Sequence, residues 1–331
     1  MTALPFFSIV IPLYNKGPHV ARAIDSVLHQ TCGDFELLVI NDASTDSGLD
    51  ELGRFTDPRI RVYRREKPGV GGYAARNLGI QHSIAPWVAF LDADDSWDAR
   101  HLSNMRRLSE RFPAADLLAC GWNLIDAHQS RPDPYYQARQ ARGPHIVSTR
   151  DYLREILNGR PPIWTSAAVI RKRALDQCGG FPEDMCERGG DTVLWIKLVL
   201  QDRELAWLPY LGANYFMNSV NRVSRSVPSS MYDSGPVRYI ADYLEKHPAD
   251  PHRAALLRAR SQYICWNFQM RLLHGGVSLP EVLSVRRHAS LASFLLMLLA
   301  FAVPSSFRSS CWRCFHALKG YGCRTARRLL R

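Results

Sequence analysis

Residues 92–95, Asp-Ala-Asp-Asp, place three carboxylates directly behind the apolar run Trp87-Val88-Ala89-Phe90-Leu91. Asp is depleted in strands, and like charges this close repel unless something positive lies between them. A strand that ends in a polar turn accounts for one such Asp. Three in four positions point instead to a divalent cation held by oxygen, which suits Mg2+ or Mn2+ and not zinc. Two more acids stand at comparable junctions. Asp42 follows the apolar stretch Phe35-Glu36-Leu37-Leu38-Val39-Ile40 within a cluster of turn and cap formers, and Asp191 follows Gly189-Gly190 where an apolar helix begins. At that last place a capping Asp is the simplest expectation.

These acids can act together only if the fold converges on them. Residues 6–14, FFSIVIPLY, form a continuous β-branched run that suits a strand buried on both faces of a parallel sheet. A helical pattern over 20–30, a second strand over 35–40, a third in RIRVYRR, a helix in GYAARNLGIQHS and a fourth strand in WVAFLDADD complete a βαβ rhythm. On such sheets ligands gather at the carboxyl ends of the strands. Tyr14-Asn15, Asn41-Asp42 and Asp92–Asp95 all fall there and are predicted to share one crevice. Further on, a polar helix, a strand in LLACGWNLI, an irregular loop or flap over 126–144, a strand and helix in WTSAAVIRKRAL, and a helix from Asp191 are expected.

The chain has 331 residues, 46% of them hydrophobic, enough for a large α/β domain with an appendage. We place that domain at 1–230 and a helical, basic region at 231–331. The net charge is +11, yet from Val282 onward there are nine Arg or Lys and no acid, so the excess belongs mainly to the tail. With no RNA-binding or helix-turn-helix signature, nucleic acid is not an expected partner. The uncharged block 291–303 is too short to span a bilayer, which needs about 20 residues. Followed by interleaved aromatics, leucines and arginines, it reads as a segment lying on anionic lipid of the inner membrane face, with the catalytic part cytoplasmic. The alternative is a buried helix with a solvated tail. Eight cysteines in so long a chain make no disulfide framework, and the single CxxC of Cys311 and Cys314, with His316 and Cys323 nearby, reads as coincidence in a basic tail.

Taken in order, SIVIPLYNKGPHVARAIDSVLHQT, LLVINDASTD, AARNLGI, AFLDADDSW, GGFPEDM and GGDTVLWIKL resemble the family 2 inverting glycosyltransferases of the GT-A fold, over roughly 7–211. The resemblance implies an α/β GT-A nucleotide-sugar-binding domain, its mainly parallel sheet flanked by helices, followed here by a helical C-terminal extension. It implies that Pro12, Tyr14, Asn15, Asp42, Arg76 and Asn77 line the nucleotide, and that Asp92-Ala93-Asp94 is the DxD motif. Asp94, Asp92 and Asp95 would then hold Mn2+ or Mg2+ against the diphosphate of a sugar nucleotide, a UDP-sugar by preference. Asp191 inherits the role of catalytic base, and Trp164, Thr165 and Ser166 that of acceptor contacts, with Trp164 suited to stack on a sugar ring. The implied acceptor is a glycan or glycolipid, in the assembly of lipopolysaccharide or another cell-surface polysaccharide.

The sequence departs from the family's pattern in places. Asn41 stands for the first acid of the nucleotide turn, Ala43 for its Gly, Gly190 for the Glu before the base, and Phe216 and Asn218 for an Arg and a His. Arg222 and Arg225 are the candidates to grip the diphosphate instead, in a loop over 218–230 expected to close on bound nucleotide. A dehydrogenase is a poor rival, because GVGGYAARNLG lacks the GxGxxG spacing and follows the third strand. A nucleotidyltransferase would need a Gly-rich, Lys-bearing first loop. A silent scaffold is disfavoured because Asp42, Asp94 and Asp191 are all kept.

Overall fold

The structure, a computed structural model, describes residues 4–220, 230, 232, 234–273, 277–289 and 291–302. The chain divides into two compact units, Met1–Ser224 and Arg225–Arg331.

The first unit is built on one sheet of ten strands: β1 (Phe7–Leu13), β2 (Phe35–Asn41), β3 (Ile60–Arg64), β4 (Trp87–Phe90), β5 (Ser96–Trp97), β6 (Leu117–Ile125), β7 (Ser130–Pro132), β8 (His145–Val147), β9 (Ala168–Arg171) and β10 (Leu205–Phe216). Its helices are α1 (Gly17–Leu28), α2 (Gly48–Leu52), α3 (Tyr73–His82), α4 (His101–Arg111), α5 (Pro134–Arg139), α6 (Thr149–Leu157), α7 (Lys172–Cys178) and α8 (Gly190–Leu200). The main path runs β3-β2-β1-β4-β9-β6-β10-β5. Its first four strands are parallel, as the apolar runs require. Beyond them the sheet is mixed, because β9 lies antiparallel to both β4 and β6, while β6 and β10 are parallel. The expected mainly parallel sheet is thus the property of its first half.

Alternation along β1 sorts the layers. Phe7, Ile9, Ile11 and Leu13 pack with Val20, Ala23, Ile24 and Val27 of α1 and with Leu102, Met105 and Leu108 of α4. Val10 points the other way, against α3, where a Cβ on Gly79 would come within 2.4 Å of its Cγ1. Only a glycine lets that helix approach so closely. Helices therefore cover both faces, which is why β1 and β2 carry almost no polar side chains.

The strand order places the site. From β1 the chain builds outward through β2 to β3, then returns to add β4 on the other side of β1. Such a reversal opens a crevice at the carboxyl ends of the two diverging neighbours. The register confirms the opening: β1 pairs with β4 only as far as Val10 and Phe90, while its pairing with β2 continues to Leu13 and Asn41. Asn15, Asp42 and Asp92 each follow one of these ends.

Residues 126–144, expected to be irregular, hold β7 and α5. The reason is Asp133, whose buried carboxylate accepts the N–H groups of Tyr135 and Tyr136 and so caps α5. Burial lifts that carboxyl to about 6.

The second unit contains α9 (Gly235–Lys246), α10 (Arg253–Leu273), α11 (Leu279–Ser284) and α12 (Leu291–Ala302). Val237, Ile264, Phe268, Leu272, Val282, Val285 and Met297 form its core. Within the uncharged block, Met297 is buried in that core whereas Leu295 is 50% exposed. Among the described residues no helix is long and apolar enough to cross a membrane. Arg222, Arg225, the cysteines of the tail and most of the expected closing loop lie outside the described residues.

Candidate active site

Acids from two strand ends, those of β2 and β4, line the crevice, and each has acquired a partner. Asp42, 1% exposed behind β2, is ion-paired with Arg65 and accepts the Gly69 N–H at 3.1 Å. Asp92 receives Arg76 Nη2 at 2.5 Å, and Asp94 receives Lys16 Nζ at 2.7 Å. Lys16 also donates to the carbonyl of Val220 at 2.5 Å. Arg22 Nη2 donates to the main-chain oxygen of Asp94 at 2.5 Å, with its guanidinium carbon 3.5 Å from the Phe216 ring centroid.

Asp95 behaves differently. It is fully buried, Ser166 Oγ donates to its Oδ2 at 2.8 Å, and the Phe216 N–H donates to its Oδ1 at 3.2 Å. Burial first, and then the charges of Asp92 and Asp94, hold its carboxyl well above the usual carboxylate range. Expected among the metal ligands, Asp95 is instead an internal strut of the acidic turn.

The residues expected to touch the acceptor also turn inward. Thr165 Oγ1 donates to Asp191 Oδ2 at 3.3 Å, and Ser166 Oγ, besides serving Asp95, accepts the Asp92 N–H at 3.1 Å. Both are buried. Consecutive residues thus tie the acidic turn behind β4 to the carboxylate at the start of α8. Trp164 is half-buried, its ring centroid 5.5 Å from Trp122 and 4.9 Å from Tyr215.

Asp191 is the second residue of α8 and not its cap, which is Gly189 in the left-handed conformation at φ 76°. Its Oδ1 accepts the Thr192 N–H at 2.8 Å. Gly190 explains the missing family acid: a Cβ there would lie 2.6 Å from the Tyr73 ring. The space is already taken.

Among the remaining expected residues, Pro12 and Tyr14 stand at the open end of β1, Tyr14 being 43% exposed. Asn15, at φ 49°, accepts the Thr45 N–H at 2.8 Å and binds the two first loops together. Asn41 accepts the Ser44 N–H at 3.1 Å, so the residue that replaces an acid serves as the internal cap of its own turn. Ala93 is buried within the acidic turn. Asn77 is drawn away from the crevice. Its amide donates to Phe181 O at 2.9 Å and to Glu183 Oε1 at 2.6 Å, and accepts the Phe181 N–H at 2.9 Å. It clasps α3 to the Gly-Gly-Phe turn, where Gly180 sits at φ 66° with no room for a Cβ beside that amide.

Sequence reasoning missed Lys16, Arg22, Arg65 and Tyr73. Lys16 and Arg22 flank the start of α1, but nothing in the sequence aims them at Asp94, 78 and 72 residues away.

The acids present can be tested against a metal. Among the described residues no group of three or more His, Cys, Asp or Glu side chains is arranged to hold an ion alone. Asp92 and Asp94 offer two carboxylates, each already facing a cationic group. One or two carboxylates completed by water and phosphate oxygens are the usual donors to Mg2+ at nucleotide sites. The residues fit such an ion, shared with a diphosphate.

Switch-point crevice, sheet order and flanking helices together define a domain of the GT-A fold. The model of the glycosyl transferase family 2 matches residues 8–179, more than half of the chain, which belongs to that family. An uncharacterized glycosyltransferase of Rickettsia felis is 31% identical over 226 residues, covering 64% of this chain and 34% of the relative. A PGL/p-HBAD biosynthesis glycosyltransferase of Mycobacterium tuberculosis is 36% identical over 120 residues, 35% of this chain and 46% of that one. The chain thus spans between a third and a half of the length of these curated relatives. In structure it resembles Staphylococcus aureus TarS 1-349 in complex with UDP-GlcNAc, with a TM-score of 0.68, 19% identity, and 91% and 85% of the two chains covered. It also resembles the mannosyltransferase PcManGT of Pyrobaculum calidifontis in complex with GDP-Man and Mn2+, with a TM-score of 0.51, 18% identity, and 94% and 86% covered.

Proposed function

We propose that this glycosyltransferase moves a hexosyl or N-acetylhexosaminyl group from a nucleotide-sugar, a UDP-sugar by preference, to a hydroxyl of a glycan or glycolipid, with inversion. The observation that carries the reading is the Thr165-Ser166 frame. It fixes a carboxylate on the acceptor side, Asp191, at a set place relative to the acids that face the donor.

Pro12, Tyr14, Asn15 and Asp42 line the nucleotide, with Arg65 and the Gly69 N–H orienting the Asp42 carboxylate. Arg76 holds Asp92, and Lys16 and Arg22 bring positive charge to the diphosphate side. Asp92 and Asp94 would hold Mn2+ or Mg2+, which supplies charge neutralisation to the departing diphosphate. The acceptor oxygen gives its proton to Asp191 and attacks the anomeric carbon from the face opposite the diphosphate. As that bond forms, the bond from the anomeric carbon to the diphosphate oxygen breaks, so configuration inverts. Asn77, Ser166 and Asp95 are part of the frame, and Trp164 presents the half-buried ring against which an acceptor sugar stacks.

UDP-GlcNAc in the TarS complex supports the donor class, and Mn2+ in the PcManGT complex supports the metal. The setting we propose is cell-surface polysaccharide or lipopolysaccharide synthesis at the inner face of the cell membrane, the basic 282–331 stretch resting on anionic lipid. Exposed Leu279, Leu283 and Leu295 in the second unit support that placement.

A thermal-shift panel of UDP, GDP, dTDP and CMP, each with Mn2+ and with EDTA, tests the donor side, since specific binding stabilises by mass action. One nucleotide should stabilise the chain only with metal; no shift from any, in a folded sample, refutes the reading. Deleting residues from Leu291 onward should move the protein from membrane pellet to supernatant, and an unchanged distribution removes the lipid partner.

A further inference from the structure

We propose that Tyr73 is a positioning residue for the base, acting as a side-chain cap, supplied by α3, for the helix that carries Asp191. The inference rests on Asp191 being the base, as set out above.

The first four N–H groups of a helix have no partner within it, and a residue at the N-cap usually satisfies one of them. The N-cap of α8 is Gly189, which has no side chain to do so. Tyr73 supplies the missing acceptor: the Gly190 N–H donates to its hydroxyl oxygen at 2.9 Å. The ring is only 4% exposed and lies nearly parallel to Phe181, with centroids 6.1 Å apart. Two glycines make room for it. A Cβ on Gly190 would stand 2.6 to 2.8 Å from three ring carbons, and one on Gly71, itself at φ 62°, would stand 2.4 Å from the ring edge. Ring and helix start therefore interlock, and a shift in one moves the other.

Tyr73 also begins the first turn of α3, three residues before Arg76, and residues at that spacing share a helix face. Arg76 holds Asp92 on the donor side. One helical turn thus fixes both carboxylate positions, Asp92 through an ion pair and Asp191 through the cap. Burial, and after it the charge of Asp191, push the phenol far above its ordinary range, so the hydroxyl keeps its proton.

The test compares Tyr73→Phe, Gly190→Ala, the double variant Tyr73→Leu/Gly190→Ala and Asp191→Asn with the full chain. The probe is hydrolysis of the UDP- or GDP-sugar selected by the nucleotide panel, with water as acceptor. Tyr73→Phe keeps the ring and loses the cap, so kcat should fall about tenfold while the donor KM holds and the melting temperature drops by only about 2–4 °C, because one lost cap is a small loss of stability and misplacing a catalytic group costs rate before affinity. Gly190→Ala should cost more in the wild-type background than beside Tyr73→Leu, where the ring no longer blocks it. Hydrogen exchange at the Gly190 amide should quicken in Tyr73→Phe whatever the assay shows. A Tyr73→Phe enzyme with wild-type kcat, an unchanged exchange rate, or a donor KM weakened along with kcat each overturns the proposal. If Asp191→Asn stays active, the base assignment falls; if it is dead while Tyr73→Phe is normal, only the cap falls.

Discussion

The carboxylates on the two sides of the crevice are kept in opposite ways. On the side proposed to face the donor, three acids each face a cation: Arg65 at Asp42, Arg76 at Asp92, Lys16 at Asp94. On the side proposed to face the acceptor, Asp191 has no ion pair among the described residues and is held by a hydroxyl and an amide of its own helix. An acid that must exchange one cation for another is best kept compensated. One that must take a proton is best left out of a direct ion pair, and the Arg76 charge reaches Asp191 only at longer range.

Asp191→Asn is the most severe way to break this contrast. It keeps the shape and a hydrogen-bond acceptor but removes the proposed base, so turnover should fall by about 10²–10⁴. Nucleotide affinity should stay within about twofold, because no contact to the donor is lost. Turnover near wild type would mean that the uncompensated acid is structural after all.

Asp94→Asn attacks the other side. It removes a carboxylate from the diphosphate end and leaves the Lys16 ammonium without its partner at 2.7 Å. Metal-dependent nucleotide binding and turnover should fall together, each by about 10–100-fold. A variant that lost turnover alone would place Asp94 on the acceptor side of the chemistry. Lys16→Met sharpens the same point. If Lys16 keeps the place of the divalent ion, its removal ends a competition worth about 1 kcal/mol, and Mn2+ measured alone should bind about fivefold tighter. Weaker Mn2+ binding would mean that Lys16 shapes Asp94 and does not compete for it.

The contrast itself could not be read from the sequence, although its parts could. Apolar runs of β-branched residues announced β1, β2 and β4, and the polar clusters behind them announced where the acids converge. Both signals are local, as are the caps and glycines that end each element. The partners are not local. Lys16 meets Asp94 across 78 residues, Thr165 meets Asp191 across 26, and Asn77 meets Phe181 across 104. For the same reason Ser166 and Asp95 looked like binding groups: a polar side chain beside a motif reads alike whether it faces the crevice or the core. The antiparallel insertion of β9 between β4 and β6 was equally hidden, since a short buried strand carries no mark of its direction.

The smallest expected effect lies in the turn behind β2, and it asks whether the donor side is held by strain or by bonds. Asn15 and Ala43 both adopt left-handed backbone, at φ 49° and 58°. Asn tolerates that conformation through its short polar side chain, whereas Ala has nothing to offset the clash of its Cβ, which costs about 1–2 kcal/mol. Ala43→Gly relieves the clash but adds freedom to the unfolded chain, worth about 0.5–1 kcal/mol in the opposite sense. The net should be about 0.5–1 kcal/mol of stabilisation, a rise of about 2 °C in melting temperature for a unit of this size. Asp42, next in the chain, is fixed by Arg65, by the Gly69 N–H and by its own N–H donating to Leu13 O at 2.8 Å. Nucleotide affinity should therefore not change with the strain. A drop in affinity with the expected rise in melting temperature would mean that the strained turn, and not the bonds to Asp42, sets the nucleotide pocket.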